Sequence, residues 1–501
     1  MEISAFVLYF VAVLAIGVFF YVKSKNKNNE EEYFLGGRSM GPWVTALSAQ
    51  ASDMSAWLLM GLPGSVLAFG LGKVWIGIGL ALGTAANWIF VARRLRRFSA
   101  AANDSITVPQ YLANRFVTGG KALQIISAVI FLVCFTVYVA SSFVAGTTVF
   151  TSVFPKLNES TALLIFAAII VLYTFLGGFK AVCWTDFFQG LLMLAALLAV
   201  PIVLLIAKNL DYSSFNVVYS YVENGETVQC NFGTSLFGAS WQDIVSGLAW
   251  GLGYFGMPHI IVRFMSIKKS SMVKKSATVA IVWVVIALSA AVGIAILGRA
   301  YIAGELLPDG NQKLVFVALA RDLFPGFIAG ILLAAIIAAS MSTADSQLLV
   351  ASSSFTSDIY KPVFRKKASD KEVVWVGRIA ILVVAVVAYF IASAKGSGAQ
   401  AIMDMVENAW GGFGASFGPA IILSLFWKRM TYKGAVAGIT VGALADIAWL
   451  IWLSESTGVY ELLPGFIAGG VACVIVSLID KKPSDDIVAL FDRATDKAID
   501  D

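Results

Sequence analysis

A cluster of polar residues interrupts an apolar stretch near the start of the chain, between positions 43 and 69. Asp53 lies in the run 51–55, Ala-Ser-Asp-Met-Ser, and residues 61–64 read Gly-Leu-Pro-Gly. An aspartate near the middle of a membrane costs roughly 2.5 to 3.5 kcal/mol on insertion scales, so such residues tend to mark ion pathways. Unwound backbone would also expose carbonyl oxygens to a cation, whereas an aspartate that only caps a half-helix is the simpler alternative.

A second apolar stretch is interrupted at a matching place. Residues 250–259 read Trp-Gly-Leu-Gly-Tyr-Phe-Gly-Met-Pro-His. The glycines would let backbone approach a ligand, and Trp250 and Tyr254 could cover its apolar part. Aromatic residues are also common at membrane interfaces and in packing, and Tyr138 is open to the same two interpretations. A pair of broken apolar stretches predicts a binding site between them.

A third polar cluster lies in a later apolar stretch. Ala339, Ser342 and Thr343 are spaced i, i+3 and i+4, so they share one helix face. A hard cation such as sodium requires several oxygen ligands, and this face offers two hydroxyls and a carbonyl. Backbone carbonyls of Ala51 and Met54 would complete five ligands. Hydrogen bonding of Ser and Thr between packed helices is the alternative.

Other charged residues lie near the ends of apolar stretches. Interfacial placement is favoured for Asp186 and Arg263, although Asp186 follows Trp184-Thr185 and is the better candidate for ion coupling. Snorkelling or solvated faces would account for four more charged residues, namely Arg378, Asp404, Glu407 and Asp446.

The elements that position these residues are predicted to be membrane helices. Of 501 residues, 59% are apolar and only 13% are charged, which predicts an all-α polytopic membrane protein. Thirteen apolar spans follow one another, at about 3–22, 43–69, 74–92, 121–149, 160–178, 186–207, 241–266, 276–298, 326–350, 373–394, 401–427, 433–453 and 462–480.

Charge placement predicts the orientation. The first span has no basic segment before it and is read as a retained helix, not a cleaved signal peptide. With the N-terminus outside and the C-terminus cytoplasmic, 29 of the 36 basic residues fall on or near the cytoplasmic side. The net charge of +5 therefore reflects topology in a cell membrane, and not affinity for nucleic acid.

The spans are arranged as two runs of five. The broken second span opens one run and the broken seventh span opens the other, and an odd number of spans turns the second run over. The predicted parts are a peripheral helix and linker (1–40), a first repeat (41–208), an external loop (209–240), an inverted second repeat (241–428), and two peripheral helices with a short cytoplasmic tail (429–501).

Several function classes lack their chemistry in this sequence. One histidine and four cysteines show no zinc-ligand spacing and no disulfide framework. We find no catalytic constellation, no organic-cofactor motif and no soluble sensor domain, so an enzyme is not predicted, and no obligate protein partner is inferred. A passive channel remains an alternative, since broken helices also line pores.

Taken together, the motifs resemble the sodium:solute symporter family. The resemblance covers nearly the whole chain and is carried by residues 36–39 (GGRS), 46–49 (ALSA), 51–64 (ASDMSAWLLMGLPG), 173–178 (YTFLGG), 184–186 (WTD), 250–256 (WGLGYFG), 258–259 (PH) and 341–343 (MST). It implies a leucine-transporter-like fold of two inverted five-helix repeats, with sodium bound between the second and ninth spans. It also implies sodium-coupled uptake by alternating access, with L-proline as the solute.

The resemblance also implies roles for particular residues. The acid on which sodium coupling depends would be Asp53. Sodium would be bound by Ala51, Met54, Ala339, Ser342 and Thr343. Proline would be bound by Tyr138, Trp250, Tyr254 and Pro258, with Ser55 nearby. The same fold carrying pantothenate, a sugar or an organic acid is the nearest alternative.

Overall fold

The computed structural model describes residues 1–24, 29–117, 120–154, 156–223, 225–395 and 399–496, and these are almost entirely helical. In chain order the α-helices are α1 (Glu2–Ser24), α2 (Glu30–Leu35), α3 (Pro42–Met54), α4 (Gly61–Phe69), α5 (Val74–Ala86), α6 (Arg93–Ala101), α7 (Val108–Arg115), α8 (Ala122–Val153), α9 (Glu159–Ala207), α10 (Trp241–Ala249), α11 (Pro258–Ser266), α12 (Val273–Leu306), α13 (Val315–Leu323), α14 (Gly326–Ser353), α15 (Asp370–Lys395), α16 (Ala399–Phe426), α17 (Tyr432–Trp452), α18 (Ser454–Thr457), α19 (Leu462–Ile479) and α20 (Asp485–Thr495).

The predicted count of thirteen membrane spans is not confirmed. Within the described ranges, ten helices are long and apolar enough to cross a membrane, and a bent pair, Trp241–Phe255 with Pro258–Ser266, makes eleven. The 49-residue helix α9 contains two of the predicted spans. At 1.5 Å per residue it would be about 74 Å long if straight, more than twice the hydrocarbon thickness. Gly178, with φ 63° and ψ −176°, interrupts its helical path.

The predicted second span is also not one helix. It consists of α3, a 3₁₀ turn over Ala56–Leu58, and α4. Neither helix reaches the roughly 20 residues that a straight crossing requires. The all-α membrane fold is therefore confirmed, whereas the count of thirteen is not.

Helix α14 lies at the centre of the bundle. Every residue from Leu332 to Ser353 is buried, and the helix packs against α9, α8, α1 and α3. Its sequence is rich in alanine and serine, and such small side chains let neighbouring helices approach closely in a membrane. The face carrying Ser342 and Thr343 is thus held inside protein.

A short hairpin lies in the predicted external loop. Strands β1 (Tyr219–Glu223) and β2 (Glu226–Cys230) pair antiparallel, with Tyr219 opposite Cys230 and Glu223 opposite Glu226. Gly225, in the turn, has a φ of 85° that favours glycine. This hairpin was not predicted from the sequence.

Candidate functional site

The first helix break lies beside Asp53, as predicted. Helix α3 ends at Met54, and Ser55 has φ 46° and ψ −173°, a backbone conformation that non-glycine residues rarely adopt. The Ser55 hydroxyl accepts a hydrogen bond from the Trp57 backbone N–H at 3.1 Å, which caps the following 3₁₀ turn. The last carbonyls of a helix have no partner within it, so the break leaves oxygens available at the end of α3.

The second break separates α10 from α11. A 3₁₀ segment, Trp250–Phe255, follows α10, and Pro258 begins α11. The two parts of this span are bent by 42°. A proline at the first helical position is favourable because its missing N–H would be unpaired there in any case. The break therefore lies where the glycine and proline pattern predicts it.

The two breaks meet in the interior. The Tyr254 hydroxyl donates a 2.5 Å hydrogen bond to Asp53 Oδ2. The rings of Trp57 and Trp250 are stacked, with centroids 6.1 Å apart and planes at 19°. Asp53 is only 5% exposed. Contact between two broken spans is the arrangement expected for a binding site.

A cavity lies between the breaks. Its empty volume, including space that is open to solvent, is about 260 Å³. Its lining residues are Asp53, Met54, Ser55, Trp57, Leu80, Tyr138, Trp250, Tyr254, Val406 and Trp410. Mostly apolar walls with a few polar groups are typical of small-molecule sites.

Four of the five predicted solute-binding residues line this cavity, namely Ser55, Tyr138, Trp250 and Tyr254. The fifth, Pro258, is buried at the start of α11 and is not part of the lining. The sequence interpretation missed Trp57, Leu80, Val406 and Trp410. The run Trp410-Gly411-Gly412 repeats the tryptophan–glycine pattern of Trp250-Gly251, and this signal could have pointed to Trp410.

Glycine at position 253 is required by the packing of Trp410. The Trp410 indole N–H donates a hydrogen bond to the Trp250 carbonyl at 2.9 Å. A Cβ on Gly253 would lie 2.0 Å from Trp410 Nε1, far inside van der Waals contact. The absence of a side chain at Gly253 thus lets α16 pack closely against the second break.

We expect Gly253→Ala to weaken solute binding by about tenfold or more, because overpacking typically costs 1–3 kcal/mol and must here displace a wall of the cavity. The matched control is Gly293→Ala, whose added Cβ would lie in ordinary contact distance, 4.0 Å from Pro201 Cβ. The measurement is the solute concentration for half-maximal uptake. Equal values for the two variants would show that this close approach does not shape the site.

The predicted cation-binding face meets the first break. Ser342 Oγ lies 2.8 Å from the Ala51 carbonyl oxygen and 3.1 Å from the Ala339 carbonyl oxygen. Thr343 Oγ1 is buried without a hydrogen-bond partner. A buried hydroxyl without a hydrogen-bond partner lowers the stability of the folded protein, because its lost contact with water is not replaced. Ser342 therefore contacts Ala51 where α14 meets α3, with Ala339 and Thr343 on the same part of α14 and Met54 at the end of α3.

Asp186 belongs to a buried ion pair, which corrects the expectation of an interfacial charge. The side chains of Asp186 and Arg263 are 0% and 1% exposed, and Arg263 Nη2 lies 2.8 Å from Asp186 Oδ2. Ser48 donates a hydrogen bond to Asp186 at 2.7 Å. Arg263 donates hydrogen bonds to Ser48 at 2.8 Å and to Ser346 at 2.6 Å. The pair joins α9 and α11 to α3 and α14, near both breaks.

Two of the other predicted interfacial charges are buried as well. Arg378 is 8% exposed and lies over the rings of Tyr33, Phe175 and Trp375. Asp446 is 3% exposed. Glu407 is half-buried and Asp404 is exposed. The prediction of a solvated face therefore agrees with the exposure of Asp404, and it is wrong for Arg378 and Asp446.

Comparison with known proteins agrees with this arrangement. The profile of the "Sodium:solute symporter family" matches residues 33–442. The chain belongs to the sodium:solute symporter family. It is 44% identical to the sodium/proline symporter of Haemophilus influenzae, with 98% of this chain and 97% of the relative covered.

Other family relatives are similar along nearly their whole length. The high-affinity proline transporter PutP of Bacillus subtilis is 44% identical, with 97% of this chain and 99% of the relative covered. The sodium/proline symporter of Escherichia coli is 43% identical, with 96% and 93% covered. Proteins of this family are transporters and not enzymes.

Solved structures share the fold at low sequence identity. A Na+-coupled sialic acid symporter in a substrate-bound outward-open state has a TM-score of 0.76 at 19% identity, with 96% of this chain and 98% of that chain covered. The nucleobase-cation-symport-1 family transporter Mhp1 in a closed conformation has a TM-score of 0.56 at 15% identity, with 92% and 98% covered. The leucine-transporter-like fold class implied by the sequence motifs is thus confirmed.

Proposed function

We propose that this protein takes up L-proline by secondary active transport driven by sodium entry. The observation that carries the proposal is the cavity between the two helix breaks, which lies directly beside the oxygen-rich contact of α3 with α14. Relatives of 43–44% identity that are named as proline transporters support the choice of solute.

Sodium would bind where α3 ends. The Ser342 hydroxyl, the Thr343 hydroxyl and the carbonyls of Ala51, Ala339 and Met54 would provide its oxygen ligands. The short distances from Ser342 to two of these carbonyls support such a site, as does the unpartnered Thr343 hydroxyl. Hard cations prefer oxygen ligands of this kind.

Proline would bind in the cavity between the breaks. Trp250 and Tyr254 would cover the pyrrolidine ring, with Trp57 and Trp410 completing the apolar wall. The broken helices would direct their dipoles at the charged groups of the zwitterion. Asp53 connects the two sites, because it lies between the sodium-binding carbonyls of α3 and accepts the Tyr254 hydroxyl.

Transport would follow alternating access in a cell membrane, the bacterial inner or plasma membrane. Residues 41–208 and 241–428 would form the two inverted repeats, with the N-terminus outside and the C-terminus in the cytoplasm. The distribution of basic residues supports this orientation. Sodium binding would favour the outward-open state, and proline binding would then permit closure. The buried Asp186–Arg263 pair would take part in ion coupling, since it joins four helices near the breaks.

The driving force is sufficient for one sodium ion per solute. One charge crossing 100 mV supplies about 2.3 kcal/mol, and a tenfold sodium gradient adds about 1.4 kcal/mol. Their sum of about 3.7 kcal/mol supports roughly 500-fold accumulation.

A competition assay tests the solute. Uptake of labelled proline is measured with an excess of unlabelled proline, pantothenate, a sugar or an organic acid outside. We expect proline alone to compete. Strong competition by another solute, with weak competition by proline, would keep the transport class and overturn the choice of substrate.

Replacing Thr343 by valine tests the cation site, since valine keeps the shape of threonine and removes the oxygen. Loss of one neutral ligand is expected to raise the sodium concentration for half-maximal uptake by about 3- to 10-fold. Thr278→Val is the matched control, because its hydroxyl bonds only to the carbonyl of Lys274 in an exposed part of α12. An unchanged sodium response in Thr343→Val would remove Thr343 from the ligand set.

A further inference from the structure

Two buried carboxylates approach the same glycine of α16 behind the wall of the solute cavity. Asp446 of α17 is 3% exposed, and Glu461, directly before α19, is 2% exposed. Asp446 Oδ1 and Glu461 Oε1 have no hydrogen-bond partner. A Cβ placed on Gly411 would lie 3.0 Å from Asp446 Oδ1 and 3.4 Å from Glu461 Oε1, so both unpartnered oxygens point at the same spot on α16.

Two glycines make room for the two carboxylates. A Cβ on Gly465 would lie 3.0 Å from Asp446 Cβ, so α19 can approach α17 only without a side chain there. Gly411 leaves the space into which both carboxylates point. The acidic pair is therefore held by close helix packing, and not by the solvated face expected for Asp446 from the sequence.

The charged and titratable groups around the pair do not neutralise it. Those on the packed elements are Glu407 and Asp404 of α16, Cys134 of α8, Tyr460 beside Glu461, and Lys73 before α5. Among the described residues, the positive group near this cluster is Lys73, which attracts the Glu407 carboxylate. Lys73 is also ion-paired with Asp243, at 3.1 Å. Two buried carboxylates without a cation beside them destabilise the folded state when both are ionised.

A single positive charge would relieve this repulsion, and the surroundings favour a proton over a metal ion. Sodium requires several oxygen ligands. Apart from the two carboxylates, the site is bordered by the backbone of Gly411 and Gly412, by the Cys134 thiol and by aromatic rings. The Cys134 Sγ would lie 3.0 Å from a Cβ on Gly412. Two carboxyl groups that share one proton need no further ligand.

We propose that Asp446 and Glu461 form a proton-binding site whose occupancy controls the position of α16 at the solute cavity. A proton from the adjoining water would form an O–H bond on one carboxylate, which then donates to the other. The route is short, because Asp446 lies six residues before Trp452, the end of α17, or about 9 Å.

The connection to the cavity is direct. Gly411 follows Trp410, whose indole N–H bonds to the Trp250 carbonyl at 2.9 Å, and both tryptophans line the cavity. The Tyr460 ring stacks on Trp250 at 5.2 Å, and its hydroxyl donates to the Glu407 carbonyl at 2.8 Å. Repulsion between ionised Asp446 and Glu461 would push α17 and α19 apart and so shift α16, which packs against both, whereas a shared proton would hold the three helices together.

Infrared difference spectroscopy tests the site itself. The full chain in lipid is compared between mildly acidic and mildly alkaline pH. The proteins are the wild type, Asp446→Asn, Glu461→Gln, the double variant, and the control Asp370→Asn, which changes an exposed acid at the start of α15. Other buried acids, such as Asp53 and Asp345, can add carboxyl bands of their own, so the signal of the pair is the part of the wild-type spectrum that the double variant loses. We expect that part to titrate in the wild type and the control, and to titrate at lower pH in each single variant. An unchanged band in the double variant would overturn the proposal. Loss of the wild-type band on adding sodium at fixed pH would assign the site to a metal ion instead.

Uptake measurements test the link to the solute cavity, which rests on the proposed function. At a fixed sodium gradient, we expect the proline concentration for half-maximal uptake to be lower at acidic than at alkaline pH by roughly fivefold or more in the wild type. The double variant, with two neutral amides, should show less than a twofold change. The same pH response in both proteins would overturn the link. Absence of sodium-driven uptake in the wild type would instead count against the proposed function, and the infrared result would stand independently.

Discussion

Replacing Asp53 by asparagine will reduce sodium-driven proline uptake by about 10- to 100-fold while the protein still inserts and folds. Asp53 is the carboxylate that lines the cavity, and its Oδ2 accepts the Tyr254 hydroxyl at 2.5 Å. A hydrogen bond to a charged group is worth about 1.5–3 kcal/mol, and each 1.4 kcal/mol is tenfold. Asparagine keeps the size and an acceptor oxygen but removes the charge that attracts sodium. Initial rates over a series of sodium concentrations measure the effect.

Asp243→Asn provides the matched control. It removes one carboxylate charge from α10, but its side chain is 46% exposed and pairs with Lys73 at the surface. Such pairs contribute at most about 1 kcal/mol, so uptake should remain close to that of the wild type. If Asp53→Asn retained wild-type sodium and proline affinities, Asp53 would have no part in coupling.

Arg263→Met is expected to lower the stability of the protein more than any surface substitution. It leaves Asp186 buried without its cation and Asp345, also 0% exposed, close by. Removing one partner of a buried ion pair typically costs about 3–5 kcal/mol. The measurement is the midpoint of thermal unfolding of purified protein, with Arg321→Met as the control, because Arg321 is 37% exposed and pairs with Glu2.

A double variant separates lost charge pairing from lost packing. Asp186→Leu together with Arg263→Met removes both charges of the pair, so it should unfold at a higher temperature than Arg263→Met alone. If the double variant were less stable than the single variant by the full cost of Asp186→Leu, the two residues would be acting independently and the ion pair would have no energetic role.

The helix breaks could be predicted from the sequence because their signals are local. Asp53 and Pro63 in one apolar stretch, and three glycines with Pro258 in the other, oppose a continuous helix wherever the rest of the protein lies. The structure accordingly ends α3 at Met54 and bends the second span after Phe255.

The walls of the cavity could be predicted only in part, because they depend on which helices meet. Leu80 and Val406 are ordinary apolar residues whose place in the site follows from the packing of α5 and α16 against the second break. The burial of Asp446 could not be predicted for a similar reason. A residue two turns from a helix end can face either lipid and water or the bundle interior. For Asp446, the packing of α17 against α19 places the side chain in the interior.

The predicted count of thirteen spans is not confirmed, and α9 shows one physical reason. Hydropathy identified two apolar segments, 160–178 and 186–207, and the structure joins them in one element with a break at Gly178. The break falls on the last residue of the earlier predicted span, at its boundary with the residues that separate the two segments. A glycine with a positive φ interrupts the helical path without any polar signal in the sequence.

Sodium-driven uptake into proteoliposomes tests most directly the claim that a cation bound at the end of α3 is coupled to the solute beside it. Wild type and the double variant Ser342→Ala with Thr343→Val are compared under imposed tenfold gradients of sodium, lithium or protons, with no membrane potential. One sodium ion per proline predicts up to about tenfold transient accumulation by the wild type in the sodium gradient, and equilibration only by the variant. Equal accumulation by both proteins, or wild-type accumulation without any cation gradient, would contradict the account.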